Sequence, residues 1–423
     1  FYQCSSLNTV TYPVVNGYAG EDGCVTLPEG LSFMGYKSGS GTFEGTAIEK
    51  VIIPKSVKVL GTTATAASAS SSVNLFKNCT SLTTVTLHDA LTKFSASIFE
   101  GCTNLTTVNY RDAQGNITGE NNAVTLPKTI TQFGQKMFYG CTSITSVTTD
   151  STAKLDNSMF ENCTSLVTAN FKATQLGNLV FAGCTMLQST EENPLPTSNL
   201  TSVGNQVFQN CTSIEYIDLS KCGTLGTGGG KSSGFFYNCT NLKKVLLKST
   251  IKTISQGMFA YCTSLEEITL PASLTLINRY AFQHSGIRNI TIPAGVTRLG
   301  ATSATSSVSV TTDGYVFAGC ENLETVTLHD KFLLIGGYVF NGCTNLKEVK
   351  NANKVTLVGR NAFQNAGLTV DGLTMDLSGV QTIGVYAFAN SGLKEADLTS
   401  LKNGDRQFYS DAFTKAEKLT KVT

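Results

Sequence analysis

Two His-Asp pairs, His88-Asp89 and His329-Asp330, are the residues with the most obvious chemical potential in this chain. A carboxylate beside an imidazole can fix its tautomer and make it a general base. Both pairs, however, occupy a recurring place. TLHD at 86–89 and 327–330 aligns with TLPA at 269–272, so each His is expected in a turn after a strand, facing solvent, with no nucleophile nearby. His284 has no evident partner. Gly226–Ser233 (GTGGGKSS) imitates the end of a phosphate-cradling loop, but that motif requires Gly at the position held by Leu225, and it must join a strand to a helix. A flexible loop is the expected structure. Thirteen Cys raise the question of disulfides or zinc, yet eleven are the fourth residue of a repeated Phe-x-x-Cys unit and no Cys-x-x-Cys occurs. Thr46, Ser285, Ala366, Ser391 and Ala416 take the same place, so the position demands a small buried side chain. The cysteines are therefore expected to be free. Cys24 and Cys222 fall outside the register and lie too far apart to pair. No catalytic, cofactor-binding or metal-ligating residue emerges, and the chain is not expected to be an enzyme.

Composition narrows the partners. Lys plus Arg number 31 against 30 Asp plus Glu, a net charge of +1, so no general positive field gathers nucleic acid or anionic lipid. Charged residues are 14% of the chain, well under the usual figure of about 25%; Thr, Ser, Asn and Gly supply the polarity instead. The longest apolar candidate, Phe332 to Phe340, contains two glycines and is too short for a membrane-spanning helix of about 18 residues.

What positions these residues is a repeat. Phe recurs at 1, 43, 76, 99, 138, 160, 181, 208, 236, 259, 282, 317, 340, 363, 388 and 413, which is 16 of the 23 Phe, with 23 residues the commonest spacing. Within a unit, LTTVTL (Leu82–Leu87) has the alternation of a strand. Twenty-three residues cannot bury an apolar face alone, so successive units must stack, one parallel strand per turn of a right-handed coil. A second apolar cluster, as in LTKF (Leu91–Phe94) or ITQFG (Ile130–Gly134), returns the chain along the opposite wall, and a short helical turn ending at Phe closes the coil. The Phe rings stack as an internal column. Gly134, Gly204, Gly300, Gly336, Gly359 and Gly384 are expected to supply bends with φ above zero. Pro28, Pro54, Pro127, Pro271 and Pro293 follow the strands, where no ladder donor is needed.

A longer periodicity overlies the first: Phe43–Val108 and Phe282–Val349 match at an offset of 239 to 241 residues. The expected organisation is one solenoid over 1–423, with about sixteen units of ~23 residues, one parallel sheet, helical turns and loops elsewhere, and surface inserts near 62–72, 111–123, 223–234 and 301–312. Both ends fall in mid-unit, which leads us to expect a fragment lacking caps.

The pattern FxxCTSLTTVTLP followed by LxxIGxxAF resembles the BspA-type leucine-rich repeat; FAYCTSLEEITLP (Phe259–Pro271) and LINRYAF (Leu276–Phe282) carry it closely. The resemblance spans nearly the whole chain. It implies a cell-surface or secreted scaffold, with adhesion to host extracellular-matrix or cell-surface proteins. A rival expectation is a structural protein whose open ends self-associate into an extracellular filament. For the partner surface, the residue after each strand-entry Leu or Ile gives Glu215, Lys243, Glu266, Arg288, Glu324 and Lys347, whose signs alternate. Tyr216, Lys244 and Glu267 adjoin them. Eight Asn-x-Thr sequons, four of them NCT, would accept glycans in a eukaryotic secretory pathway.

Overall fold

The computed structural model describes residues 1–10, 24–27, 31, 33–34, 41–61, 69–70, 72–300, 312–401 and 410–423. They form two compact units: Phe1–Ile214 with Lys221–Leu225, and Glu215–Ser220 with Gly226–Thr423. Each is a parallel β-solenoid. In the first, Cys24–Thr26, Lys50–Ile52, Thr84–His88, Thr107–Arg111, Val124–Leu126, Ser146–Thr149 and Thr168–Phe171 form one ladder. Its register lines up Val25, Val51, Val85, Val108, Val124, Val147 and Ala169 as a single buried column. The alternation read in the sequence thus selects the inner face. In the second unit Tyr216–Asp218 pairs with Lys244–Leu246, and Asn289–Thr291, Thr325–Thr327, Glu348–Lys350 and Thr374–Met375 form a further ladder over Ile290, Val326, Val349 and Met375.

The return wall is also a ladder, where a single sheet was expected. Its strands are two residues long, for example Val59–Leu60 on Lys93–Phe94, or Arg298–Leu299, Leu334–Ile335, Leu357–Val358 and Thr382–Ile383 in sequence. The corner before the Phe is a turn rather than a helix, except at Phe413, where a 3₁₀ turn ends on the ring. Among the described residues the helical segments are two 3₁₀ turns, Ala352–Lys354 and Ser410–Phe413. The reason is where the donors go. Phe76 N–H reaches Ile98 O at 2.9 Å and Phe99 N–H reaches Met137 O at 3.0 Å, so corner amides bond to the next coil and are not available for bonds along their own.

The Phe column is present in each unit. From Phe43 through Phe76, Phe99, Phe138, Phe160, Phe181 and Phe208, ring centroids lie 5.4–6.0 Å apart. From Phe236 through Phe259, Phe282, Phe317, Phe340, Phe363, Phe388 and Phe413 they lie 5.1–5.6 Å apart. The cysteines follow the rings. Repeat thiols donate to the carbonyl of the preceding coil's Phe: Cys79 to Phe43 at 2.9 Å, Cys102 to Phe76 at 3.0 Å, Cys184 to Phe160 at 3.0 Å, Cys320 to Phe282 at 2.9 Å. Thr46 and Ser285 in this place each lie 3.4 Å from the next coil's thiol, and Ala366, buried with no donor at all, shows that small volume is the requirement.

All thirteen cysteines are free, and all but Cys4 are buried. Burial pushes up the thiols of Cys79, Cys102, Cys141, Cys163, Cys184, Cys262 and Cys343, and that of Cys320 to about 12, which removes their nucleophilic thiolates at neutral pH. Ellman's reagent should therefore titrate about one thiol per folded chain at pH 8 and the remaining twelve after denaturation. Fast reaction of several thiols in the folded chain would contradict this packing.

The glycines do a different job from the one expected. Of the six, Gly300 has positive φ, at 94°. Gly134 and Gly384 are needed because coils touch backbone to backbone: a Cβ on Gly134 would lie 1.9 Å from Ser95 O, and one on Gly384 2.4 Å from Arg360 N. Left-handed bends flank the Phe: one sits two residues before most of them, as at Asn74, Ser97, Lys136 and Ser158 with φ of 54–61°, and one two residues after. Asn78, Gly101, Gly140, Asn162, Gly183, Asn210 and Asn238 in this place all have φ between 58° and 75°.

Candidate functional site

The column after the strand-entry Leu or Ile changes chemistry between the units. In the first it is rich in Thr, whose hydroxyls donate to the previous coil's backbone: Thr83 to Glu49 O at 3.1 Å, Thr106 to Thr83 O at 3.3 Å, Thr145 to Asn122 O at 2.9 Å. In the second it is a ladder of ions. Lys243 Nζ lies 2.8 Å from Glu215 Oε2. Arg288 holds Glu266 through Nε at 2.9 Å and approaches Glu324 at 3.9 Å, and Lys347 Nζ meets Glu324 at 2.5 Å. The same rungs are joined by main chain, Lys243 N–H to Glu215 O at 2.9 Å and Arg288 N–H to Glu266 O at 3.0 Å. The hydrogen bond and charge of Arg288 hold the Glu266 carboxyl below its usual range, and Lys347 does the same for Glu324. Because the folded values are depressed, the pairing is complete above the ordinary carboxylate range and is lost as pH falls through the lowered values.

All seven partner-surface candidates lie on this second unit. Tyr216 and Lys244 face each other across paired strands, with Lys244 Nζ 5.8 Å from the Tyr216 ring centroid. Glu267 is exposed one residue beyond Glu266. Lys243, Lys244, Glu266, Glu267 and Arg288 are exposed; Glu215 and Tyr216 are half-buried. Sequence reasoning missed two grooves on this wall. One of about 490 Å³ opens between the 267–270 segment and Asn289–Thr291. The other, of about 360 Å³, is bordered by Glu348, Lys350, Asp376 and Lys394. Neither leaves a residue-type signal, because grooves depend on how adjacent coils sit.

The described inserts are ordered against the coils. Insert 111–123 prolongs one strand into a hairpin, Tyr110 opposite Thr118 and Arg111 opposite Ile117. It then crosses the wall's outer side: Asn122 N–H donates to Thr107 Oγ1 at 3.0 Å, and a Cβ on Gly119 would strike Thr125 and Asn109. Thr107 and Asn109 are buried as a result. In the 223–234 insert, Gly230 N–H closes on Ser233 O at 2.8 Å, and Gly229 and Gly234 press on the carbonyls of Gln256 and Gly257. This replaces the flexible loop expected there. Inserts 62–72 and 301–312 lie outside the described residues, except for 69, 70, 72 and 312.

The histidines depart from expectation. His88 is buried, since its strand pairs onward with Arg111 of the lengthened neighbour, and burial lowers its pKa against the pull of Asp89 at 2.7 Å. His329 accepts from Lys331 N–H at 3.1 Å through Nδ1, leaving Nε2–H to donate to Val296 O at 3.0 Å. Both rings serve as turn braces. Among the described residues no cluster of three or more His, Cys, Asp or Glu could hold a metal ion, and no helix is long and apolar enough to cross a membrane.

Comparison with known proteins agrees with this architecture. The family profile described as BspA type leucine rich repeat region (6 copies) matches residues 36–123, 116–228, 191–311 and 310–423. No curated protein matches the sequence. Among solved structures, a leucine-rich repeat protein from Bacteroides ovatus is 21% identical over 71% of this chain and 78% of its own, with a TM-score of 0.43. A leucine-rich cell surface protein from Faecalibacterium prausnitzii is 21% identical over 75% and 82%, TM-score 0.36. The pneumococcal vaccine antigen PcpA is 15% identical over 90% and 94%, TM-score 0.39.

Proposed function

From the premise that this chain belongs to the BspA-type leucine-rich repeat family, we propose that it is a non-enzymatic extracellular scaffold, a cell-surface or secreted adhesin that binds host matrix or cell-surface proteins. Such repeat proteins present an extended, regular surface to protein partners. The observation that carries the reading is the ion ladder of the second unit, Glu215–Lys243 and Glu266–Arg288–Glu324–Lys347. Exposed pairs of this kind add little to stability. They do set an alternating potential that selects a complementary partner and speeds its approach.

The test is a chain carrying Glu215→Ala, Lys243→Ala, Glu266→Ala and Arg288→Ala together. Its thermal midpoint should match the parent's, while its binding to immobilised matrix and to intact cells should fall by more than about tenfold. Adhesion at the parental level would remove this column from the binding site.

A further inference from the structure

The corner that carries each Phe shows three columns of side chains to the outside, and hydrogen bonds between them give their order. Asn361, two residues before Phe363, donates from Nδ2 to Oε1 of Gln364, one residue after that Phe, at 2.8 Å. Asn162, two residues after Phe160, donates from Nδ2 to the hydroxyl of Tyr139, one residue after Phe138, at 3.2 Å. The column one residue after Phe therefore runs between the other two. In the first unit this middle column carries charge, as at Lys77 and Glu100, paired at 2.9 Å. In the second unit, from the coil of Phe259 to the coil of Phe340, the three columns hold no Lys, Arg, Asp or Glu and the outer two become aromatic.

Tyr280, Tyr315 and Tyr338 form one ridge, with ring centroids 5.2 and 4.6 Å apart and planes within 16° of parallel. The Arg360 guanidinium lies 5.7 Å from the Tyr338 centroid and is itself held by both carboxylate oxygens of Asp313, at 2.8 and 2.7 Å. Tyr261 and His284 form the second ridge, stacked at 4.9 Å. The two ridges overlap at the coil that carries both Tyr280 and His284. Between them the floor is short at Ala260 and Ala318, 0% and 5% exposed. Gln283 lies between these two, 8% exposed, and its Oε1 makes no hydrogen bond. Tyr280, Tyr315 and Tyr338 are half-buried, and among the described residues their hydroxyls bond to no protein group. Burial, aided by the charge of Asp313, pushes the Tyr315 phenol up, which keeps it a donor.

A platform for sugars or bases needs open ring faces, and in this ridge the tyrosines cover one another's faces. They offer instead a row of edges tipped with hydroxyl donors, one per coil. The complement to such a row is a backbone whose carbonyls are free and evenly spaced. Polyproline II has no internal hydrogen bonds, and its prolyl rings pack between aromatic side chains. The coil steps from Phe259 to Phe340 are 5.3, 5.3 and 5.6 Å. They span about five residues of that helix at ~3.1 Å each, and one of its turns, about 9 Å, falls just under two steps. We propose that the trough between Tyr261–His284 and Tyr280–Tyr315–Tyr338 docks an uncharged, proline-rich segment of a partner protein in the polyproline II conformation. The tyrosine hydroxyls donate to its carbonyls, and the unsatisfied amide of Gln283 gains a partner from a non-proline N–H. The proposal rests on the scaffold reading for the existence of a partner, and it uses none of the ion ladder's residues.

The experiment is titration calorimetry of the full chain with three probes: a capped peptide of three Ala-Pro-Pro repeats, a capped flexible peptide of three Gly-Ser-Ala repeats, and cellohexaose. The proline-rich peptide alone should bind, at one site per chain. Tyr315→Phe combined with Tyr338→Phe keeps both rings and removes two donors, so the thermal midpoint should stay in place while affinity for that peptide falls by about tenfold or more. The quadruple alanine variant of the ion ladder should bind the peptide as the parent does. No binding of the proline-rich peptide would overturn the proposal, as would equal binding of the flexible one. Binding of cellohexaose in its place would assign the trough to glycans instead, and parental affinity in the double Phe variant would remove the hydroxyl row from the site. Any of these failures leaves adhesion through the ion ladder intact, because the quadruple alanine variant measures that on matrix and cells.

Discussion

Phe160→Ala is expected to lower the stability of the first unit by about 3–5 kcal/mol, the range for removing a fully buried aromatic ring. Phe160 lies between Phe138 at 5.4 Å and Phe181 at 5.7 Å, nearly parallel to both. Deleting it leaves two ring faces without a partner and a void that the neighbouring coils cannot close, because their spacing is set by backbone bonds on both walls. In a stack where each coil touches only its neighbours, the weakened interface should also split unfolding in two. Urea titration followed by circular dichroism should show an added early transition, which suits a chain without Trp. Phe1→Ala is the control, since that ring is 55% exposed and stacks on Phe43 alone among the described residues. Equal losses from both substitutions would mean that the column is not a core.

Gly134→Ala is expected to be nearly as damaging, at about 3 kcal/mol or more, although it adds one methyl group. The added carbon would sit 1.9 Å from Ser95 O, and the obstacle is backbone, so no rotamer change relieves it. Gly140→Ala separates this effect from conformational strain. Gly140 has φ of 69°, and no atom lies within 4 Å of the place its Cβ would take, so its cost is that of the left-handed region, about 1–2 kcal/mol. Gly140→Asn should be close to neutral, because Asn162 holds the same place one coil on with φ of 61°. Thermal melts of the three variants should rank them in that order. A milder Gly134→Ala than Gly140→Ala would reverse the roles assigned to the two glycines.

The contrast shows what the sequence could and could not reveal. The 23-residue spacing, the Phe column and the strand at Leu82–Leu87 were legible because they depend on side-chain size and alternation, which residue types record directly. The alternating signs of Glu215, Lys243, Glu266 and Arg288 were legible for the same reason, and the structure brings Glu215 to Lys243 and Glu266 to Arg288. The glycine roles were not, since Gly answers equally to positive φ and to close approach. The interchange of Asn and Gly two residues after Phe, as in Asn78, Gly101 and Asn162, was the available sign of the left-handed bend. His88 was misplaced because its burial depends on the lengthened neighbour strand and not on its own surroundings. The break in strand pairing at 267–270 leaves no trace in residue type: Glu-Ile-Thr-Leu reads as a strand, and whether it pairs depends on how two coils sit.

The ladder bonds that join each coil to the next run along the stack, whereas the covalent chain runs across it. Tension applied along the stack of a unit therefore loads one coil's hydrogen bonds at a time, as in opening a zipper, and each released coil of 23 residues pays out roughly 80 Å of slack. Each unit therefore yields under such a load by lengthening in small steps rather than by one sudden rupture.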